Sequence, residues 1–219
     1  MNVSVNVVLI SSPSALSDAI CSQLGSRGRP FAHVSVDDLQ AFDTALLRNS
    51  IVIDSDALVS FQLSDGVAEA DHARLLDARR KVLQSCLAMD VPYVFLSDGR
   101  VFDGFTERQH EYVESDQKNA GSVAGKQLAE YESLVADVAG QGLVLRTGPL
   151  IAAQEGNFLG DCLVTMRGGS VLTLNDSVTS CPTPVSDLAR VVSGIVDQLS
   201  CGASCRGVYH YNSSGSASA

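Results

Sequence analysis

Seven short apolar runs rich in β-branched and aromatic residues recur along the chain, and a stretch of helical period separates each from the next. The runs are VNVVLI (5–10), FAHVSV (31–36), IVID (51–54), PYVFLS (92–97), LVLRT (143–147), SVLTL (170–174) and GVYHY (207–211). The helical stretches fall at 13–24, 37–47, 68–89, 120–139, 157–167 and 185–199. Strands joined through helices run parallel, and a parallel sheet must be covered on both faces, which is why its strands read as nearly continuous apolar runs. The expectation is an α/β fold: a doubly wound Rossmann-type parallel sheet with helices on both faces. Ligands of such sheets sit outside the carboxyl ends of the strands, so the residues just after each run carry the functional question.

Composition removes several function classes. Apolar residues make up 45% of the 219 residues and charged ones 18%, enough for a core and too few charges for a disordered polyelectrolyte. A net charge of −10 opposes a face that neutralises phosphates, so no nucleic-acid partner is expected. The opening MNVSVNVVLISS lacks a basic n-region, and no apolar stretch nears the roughly 20 residues that span a bilayer, so a cytoplasmic protein without a membrane partner is expected. The six cysteines then read as reduced thiols. Cys201 and Cys205, with His210 nearby, have ligand-like spacing but no second close pair, so no metal is expected.

After the first run the chain reads ISSPSALSDAI (10–20), a turn with serine at 11, 14 and 17. Ser12 before Pro13 reads as a helix N-cap, with Asp18 in the first turn suiting the helix dipole. After the third run stand Asp54, Ser55, Asp56 and Ala57, where the two acids are either solvated loop carboxylates or a source of negative potential beside the turn. AGSVAGKQ (120–127) nearly matches a phosphate-binding loop, but Ala120 replaces its first glycine and Gln127 its magnesium-binding hydroxyl.

FLSDGRVFDG (95–104), YVESD (112–116), LVLRTGPL (143–150), GNFLGDCL (156–163), VLTLNDSVTSCPTPVSDLAR (171–190) and GVYHYNSSGS (207–216) occur in an order that resembles the dTDP-4-dehydrorhamnose reductases. That family is a branch of the extended short-chain dehydrogenase/reductases. The resemblance covers nearly the whole chain and implies a shortened member: one Rossmann-like domain over 1–212, a reduced substrate-binding part at about 148–185, and a disordered tail over 213–219. It implies NADP or NAD as cofactor, hydride transfer to the 4-keto group of a nucleotide-linked sugar, and a Tyr-x-x-x-Lys pair in which the phenol protonates the product.

The family's site residues map here onto altered types. Its three turn glycines fall on Ser11, Ser14 and Ser17, and its small neutral floor on Asp54 and the residues after it. Lys126 takes the lysine position, while Ser122 or Ala124 takes the tyrosine position. Tyr131 lies five residues beyond Lys126, about 140° around a helix, and Tyr112 is the nearby substitute phenol. The substrate-orienting Ser-Thr pair becomes Ser97 and Asp98, and the sugar-nucleotide side is matched by Thr147, Asn157, Phe158 and Arg167.

The expectation is a non-catalytic relative, a binding or regulatory subunit with no conventional cofactor. Its partner would be a nucleotide-sugar ligand or an active reductase-like protein, and it could form a homo-oligomer. The alternative is an NAD(P)-dependent reductase of a nucleotide-linked 4-keto sugar, with Tyr112 or water as the acid.

Overall fold

The computed structural model describes residues 6–61, 64–104, 111–152, 157–173, 179–204 and 206–218. Six strands form one parallel sheet in the order β2-β1-β3-β4-β5-β9: β1 (Asn6–Ile10), β2 (Phe31–Val34), β3 (Ser50–Asp54), β4 (Tyr93–Asp98), β5 (Gly142–Thr147) and β9 (Gly207–Tyr211). Helices α1 (Ala15–Ser26) and α6 (Val185–Ser200) cover one face, and α3 (Glu69–Ala88) and α4 (Val123–Val138) cover the other. A short α2 (Asp56–Ser60) follows β3, and α5 (Phe158–Arg167) lies between β5 and β9 in the chain. Small pairs lie outside the sheet: β6 (Leu150–Ile151) beside β8 (Thr183–Pro184), and β7 (Thr179–Ser180) beside β10 (Ala217–Ser218).

The two-residue period of the strands sorts the core into halves. Val7, Leu9, Ile51, Ile53, Val94, Leu96, Leu143 and Leu145 pack with Leu16, Ile20 and Leu24 of α1 and Leu188, Val192 and Val196 of α6. Val8, Ile10, Val52, Tyr93, Phe95 and Val144 face Leu75, Val82, Leu128, Tyr131 and Val135 on α3 and α4. Parity therefore decides where the polar strand ends point. Asp54 shares the face of Val52, and Arg146 that of Val144, so both meet α3 or α4 across the sheet.

Each meets an opposite charge there. Arg79 of α3, 2% exposed, donates from Nε to Asp54 Oδ2 at 2.8 Å and from Nη2 to Asp56 Oδ2 at 3.1 Å. Arg146 donates from Nε and Nη2 to the two oxygens of Glu132 at 2.9 and 2.7 Å, a bidentate pair.

The fold departs from the sequence pattern in three places. Residues 37–47 form two 3-10 turns, Val36–Ala41 and Thr44–Leu47, because Asp43 caps a fresh start by accepting from Ala45 N and so ends any continuous helix. The run expected as a strand at 170–174 has no regular structure over 170–173, and Val171 there is 91% exposed. Within the tail expected to be disordered, Ala217–Ser218 pairs antiparallel with Thr179–Ser180.

Removing Arg79 strands two buried carboxylates. Arg79→Met is expected to destabilise the protein by about 3–5 kcal/mol, the usual cost of breaking a buried pair from one side, and adding Asp54→Asn should restore part of the loss. Urea unfolding of the parent and both variants checks this.

Candidate functional site

The chain leaves β1 for β2 on one side and returns to β3 on the other, so the sheet's switch point lies between the carboxyl ends of β1 and β3. Those ends are laced together where Ser55 N donates to Ile10 O at 3.0 Å. The serine turn lies on one side of the switch point and the paired aspartates on the other.

In the turn, each serine side chain has a partner. Ser11 Oγ hydrogen-bonds His33 Nε2 at 2.9 Å. Ser14, and not Ser12, is the N-cap of α1: Ser17 N donates to Ser14 Oγ at 3.1 Å, and Ser14 N donates to Ser17 Oγ at 2.9 Å. This reciprocal capping box satisfies two backbone donors of the helix start from within the chain. Ser12, expected to cap, turns instead across the switch point and donates to Asp56 Oδ1 at 2.7 Å.

The two acids are not solvated loop residues. Asp54 and Asp56 are 0% and 3% exposed. Asp54 Oδ2 accepts from Tyr93 OH at 2.6 Å as well as from Arg79, and Asp56 Oδ1 also accepts from Ser60 Oγ at 3.2 Å. The Arg79 guanidinium lies 4.4 Å from the centre of the Tyr131 ring. Burial pulls the Arg79 pKa down, yet Asp54, Tyr131 and Asp56 outweigh it and hold the group above free arginine.

At the end of β4, Ser97 Oγ is buried without a hydrogen-bond partner among the described residues. Asp98 caps the following turn, accepting from Arg100 N and Nε at 2.8 Å each. The cation that neutralises Asp98 is therefore Arg100. Arg100 also reaches the Phe61 carbonyl with Nη1, tying the β4 exit to the end of α2.

The start of α4 is built tightly against that exit. Ser122 is its N-cap, accepting from Gly125 N at 3.0 Å, and Ala124 is 1% exposed in the core. A Cβ on Gly125 would stand 2.1 Å from Arg100 O, so only glycine fits there. Gln127 bridges to the segment before α3, donating to Val67 O at 2.7 Å and accepting from Val67 N at 3.0 Å. Lys126 is exposed, and its side chain has no hydrogen bond or ion pair among the described residues. Tyr131 is 1% exposed, on a different side of the helix, with its hydroxyl 3.0 Å from His72 Nδ1. Tyr112 stacks on Phe102 at 4.1 Å between centroids and donates to Asp103 Oδ1 at 2.6 Å.

The residues expected on the sugar-nucleotide side are placed by the end of β5 and by α5. Thr147 pairs in register with Asp98 and donates to Gly148 O at 2.9 Å. Asn157 caps α5, its Oδ1 accepting from Ala152 N at 3.1 Å and Gly160 N at 3.3 Å. Arg167 is exposed in the last turn of α5, and the side chain of Phe158 lies outside the described residues. Cys201 is exposed with a free thiol, Cys205 lies outside the described residues, and His210 approaches Arg146 Nη1 at 3.3 Å. No metal-ligating group of three appears among the described residues, and none of their helices is long and apolar enough to cross a membrane.

The sequence reading missed Arg79, Tyr93 and Arg100. Arg79 had a visible signal, a charge set among Leu75, Ala78, Val82 and Cys86 on the buried stripe of α3.

The sheet order and the switch point define a Rossmann-type α/β protein. The chain belongs to the RmlD substrate binding domain family, whose model matches residues 16–219. A dTDP-4-dehydrorhamnose reductase from Clostridium acetobutylicum superposes with a TM-score of 0.78 at 20% identity, covering 97% of this chain and 76% of that one. The Bacillus anthracis dTDP-4-dehydrorhamnose reductase in complex with NADP gives 0.79 at 18%, covering 99% and 77%. The Bordetella bronchiseptica enzyme WbmH in complex with NAD+ gives 0.76 at 14%, covering 97% and 77%. No curated protein sequence matches the chain.

The buried phenols give the network a pH signature. Burial, with Asp54 adding and Arg79 opposing, raises Tyr93 well above 10 and Tyr131 to about 12. Both hold their protons longer folded than unfolded, so their contribution is complete below the free phenol value near 10 and is lost as pH climbs toward 12. Unfolding free energy should fall over that window, and Tyr93→Phe should make the fall shallower; urea titrations at stepped pH measure it.

Proposed function

We propose that this chain is a non-catalytic member of the reductase family, a binding or regulatory protein that does not hold NAD(P) in the usual manner. The start of α4 carries the reading. At the two positions that align with the family's tyrosine, one residue is Ser122, whose oxygen caps the helix, and the other is the buried methyl of Ala124. Neither supplies a phenol, and a serine hydroxyl is too weak an acid to protonate an alkoxide at neutral pH. Tyr112, the substitute, already donates its proton to Asp103.

The β4 exit supports the same reading. A carbonyl being reduced needs hydrogen-bond donors aimed at its oxygen, whereas Asp98 brings a carboxylate whose charge is paired with Arg100. The diphosphate turn supports it as well, with Ser14 and Ser17 capping each other where the family's glycines leave room. The ligand of such a protein is a nucleotide-linked sugar or an active relative, met through the strand ends near Thr147 and Asn157.

Calorimetric titration with NADPH and NADP⁺ should give no heat at millimolar cofactor, and the chain should not turn over a dTDP-linked 4-keto sugar. Micromolar cofactor affinity, or turnover that Lys126→Ala abolishes, would replace this reading with that of a working reductase.

A further inference from the structure

Asp56 stands between two spaces. On one side its Oδ1 accepts from Ser12 at the mouth of the α1 turn. On the other it lines a cavity of about 240 Å³ together with Ser60, Phe61, Leu75, Arg79 and Tyr131. Its second oxygen is fixed by Arg79 Nη2 at 3.1 Å, and its side chain is 4% exposed. Rotation of the carboxylate out of the way would break its bonds to Ser12, Ser60 and Arg79 together.

The turn serines and Asp56 differ in how firmly they oppose a diphosphate. A serine hydroxyl is both donor and acceptor, so Ser14 and Ser17 could exchange their mutual bonds for bonds to a phosphate oxygen. A carboxylate only accepts, and it repels an anion through a buried region where salt screens little. Arg79 does not cancel it, because one guanidinium serves both Asp54 and Asp56 and the three groups keep a net charge of −1.

We propose that Asp56 is the selectivity residue of the switch-point crevice. Pinned by Ser12 and Arg79, it excludes a diphosphate from the first turn of α1. The inference rests on the proposed loss of conventional NAD(P) binding and assigns that loss to one carboxylate, with the serines as secondary.

The full-length chain is titrated calorimetrically with inorganic pyrophosphate and with NADP⁺, as parent, as S14G/S17G and as Asp56→Asn in both backgrounds. Asparagine keeps the volume of Asp56 and an acceptor for Ser12 while removing the charge. Parent and S14G/S17G should give no heat with pyrophosphate at millimolar concentration. Asp56→Asn should bind it at least tenfold more tightly, most clearly in the S14G/S17G background.

Binding by S14G/S17G with Asp56 intact would overturn the proposal, since the serines would then be the barrier. An Asp56→Asn chain that melts as the parent does but gains no affinity would also overturn it. So would one that fails to fold, because Asp56 would then be a structural residue and not a selective one. Binding of both probes by the parent is a separate outcome that removes the proposed function itself.

Discussion

The guanidinium of Arg79 organises the carboxyl end of β3. Two carboxylates that follow one another two residues apart at a strand end would repel each other and stay in water, but here both are drawn under α2 and α3 by a single buried cation. The arrangement is favourable only because nearly every polar atom has a partner: Tyr93 serves Asp54, while Ser12 and Ser60 serve Asp56. The exception is Arg79 Nη1, which has no hydrogen-bond partner among the described residues, on a guanidinium that lies over the Tyr131 ring. Because Ser12 belongs to the turn before α1, the ion network also fixes that turn.

A second buried pair does the corresponding work at the other end of the sheet. Glu132 of α4 receives Arg146 of β5, and Lys118 approaches the same carboxylate at 3.6 Å. Burial is the leading cause that lowers the Lys118 pKa, with Glu132 opposing it. Between the two pairs, Gln127 holds Val67 and Arg100 holds Phe61, so α4, α2 and the β4 exit brace one another over the strand ends. These contacts are made by side chains and caps at the strand ends, and the sheet beneath them is packed through its apolar strand faces.

Most of the sheet was legible in the sequence because its signal is redundant: every buried parallel strand is an apolar run several residues long. Residues 170–173 show the limit, since a run of β-branched and leucine residues forms a strand only where a neighbouring edge is free to pair with it. The 3-10 turns after β2 were misread for the opposite reason, because Asp43 fits a helix by composition and ends one by hydrogen bonding to Ala45 N. At the site, the serines at 11, 14 and 17 and the residues at 122 and 124 could be read position by position. The partners of Asp54, Asp56 and Asp98 could not, because they join residues 25, 23 and 2 positions apart and only strand parity and helix phase say which charges meet.

The α1 turn is self-consistent without any ligand. In a glycine turn, the free amides of the helix start and the positive end of its dipole are satisfied by an anion from outside. Here Ser14 and Ser17 take two of those backbone donors, a capping exchange worth about 1 kcal/mol, and Asp18 places a carboxylate in the first turn. Asp56 adds a further negative charge one hydrogen bond away, through Ser12. The chain thus caps this helix start from within, and a carboxylate stands one hydrogen bond beyond the turn.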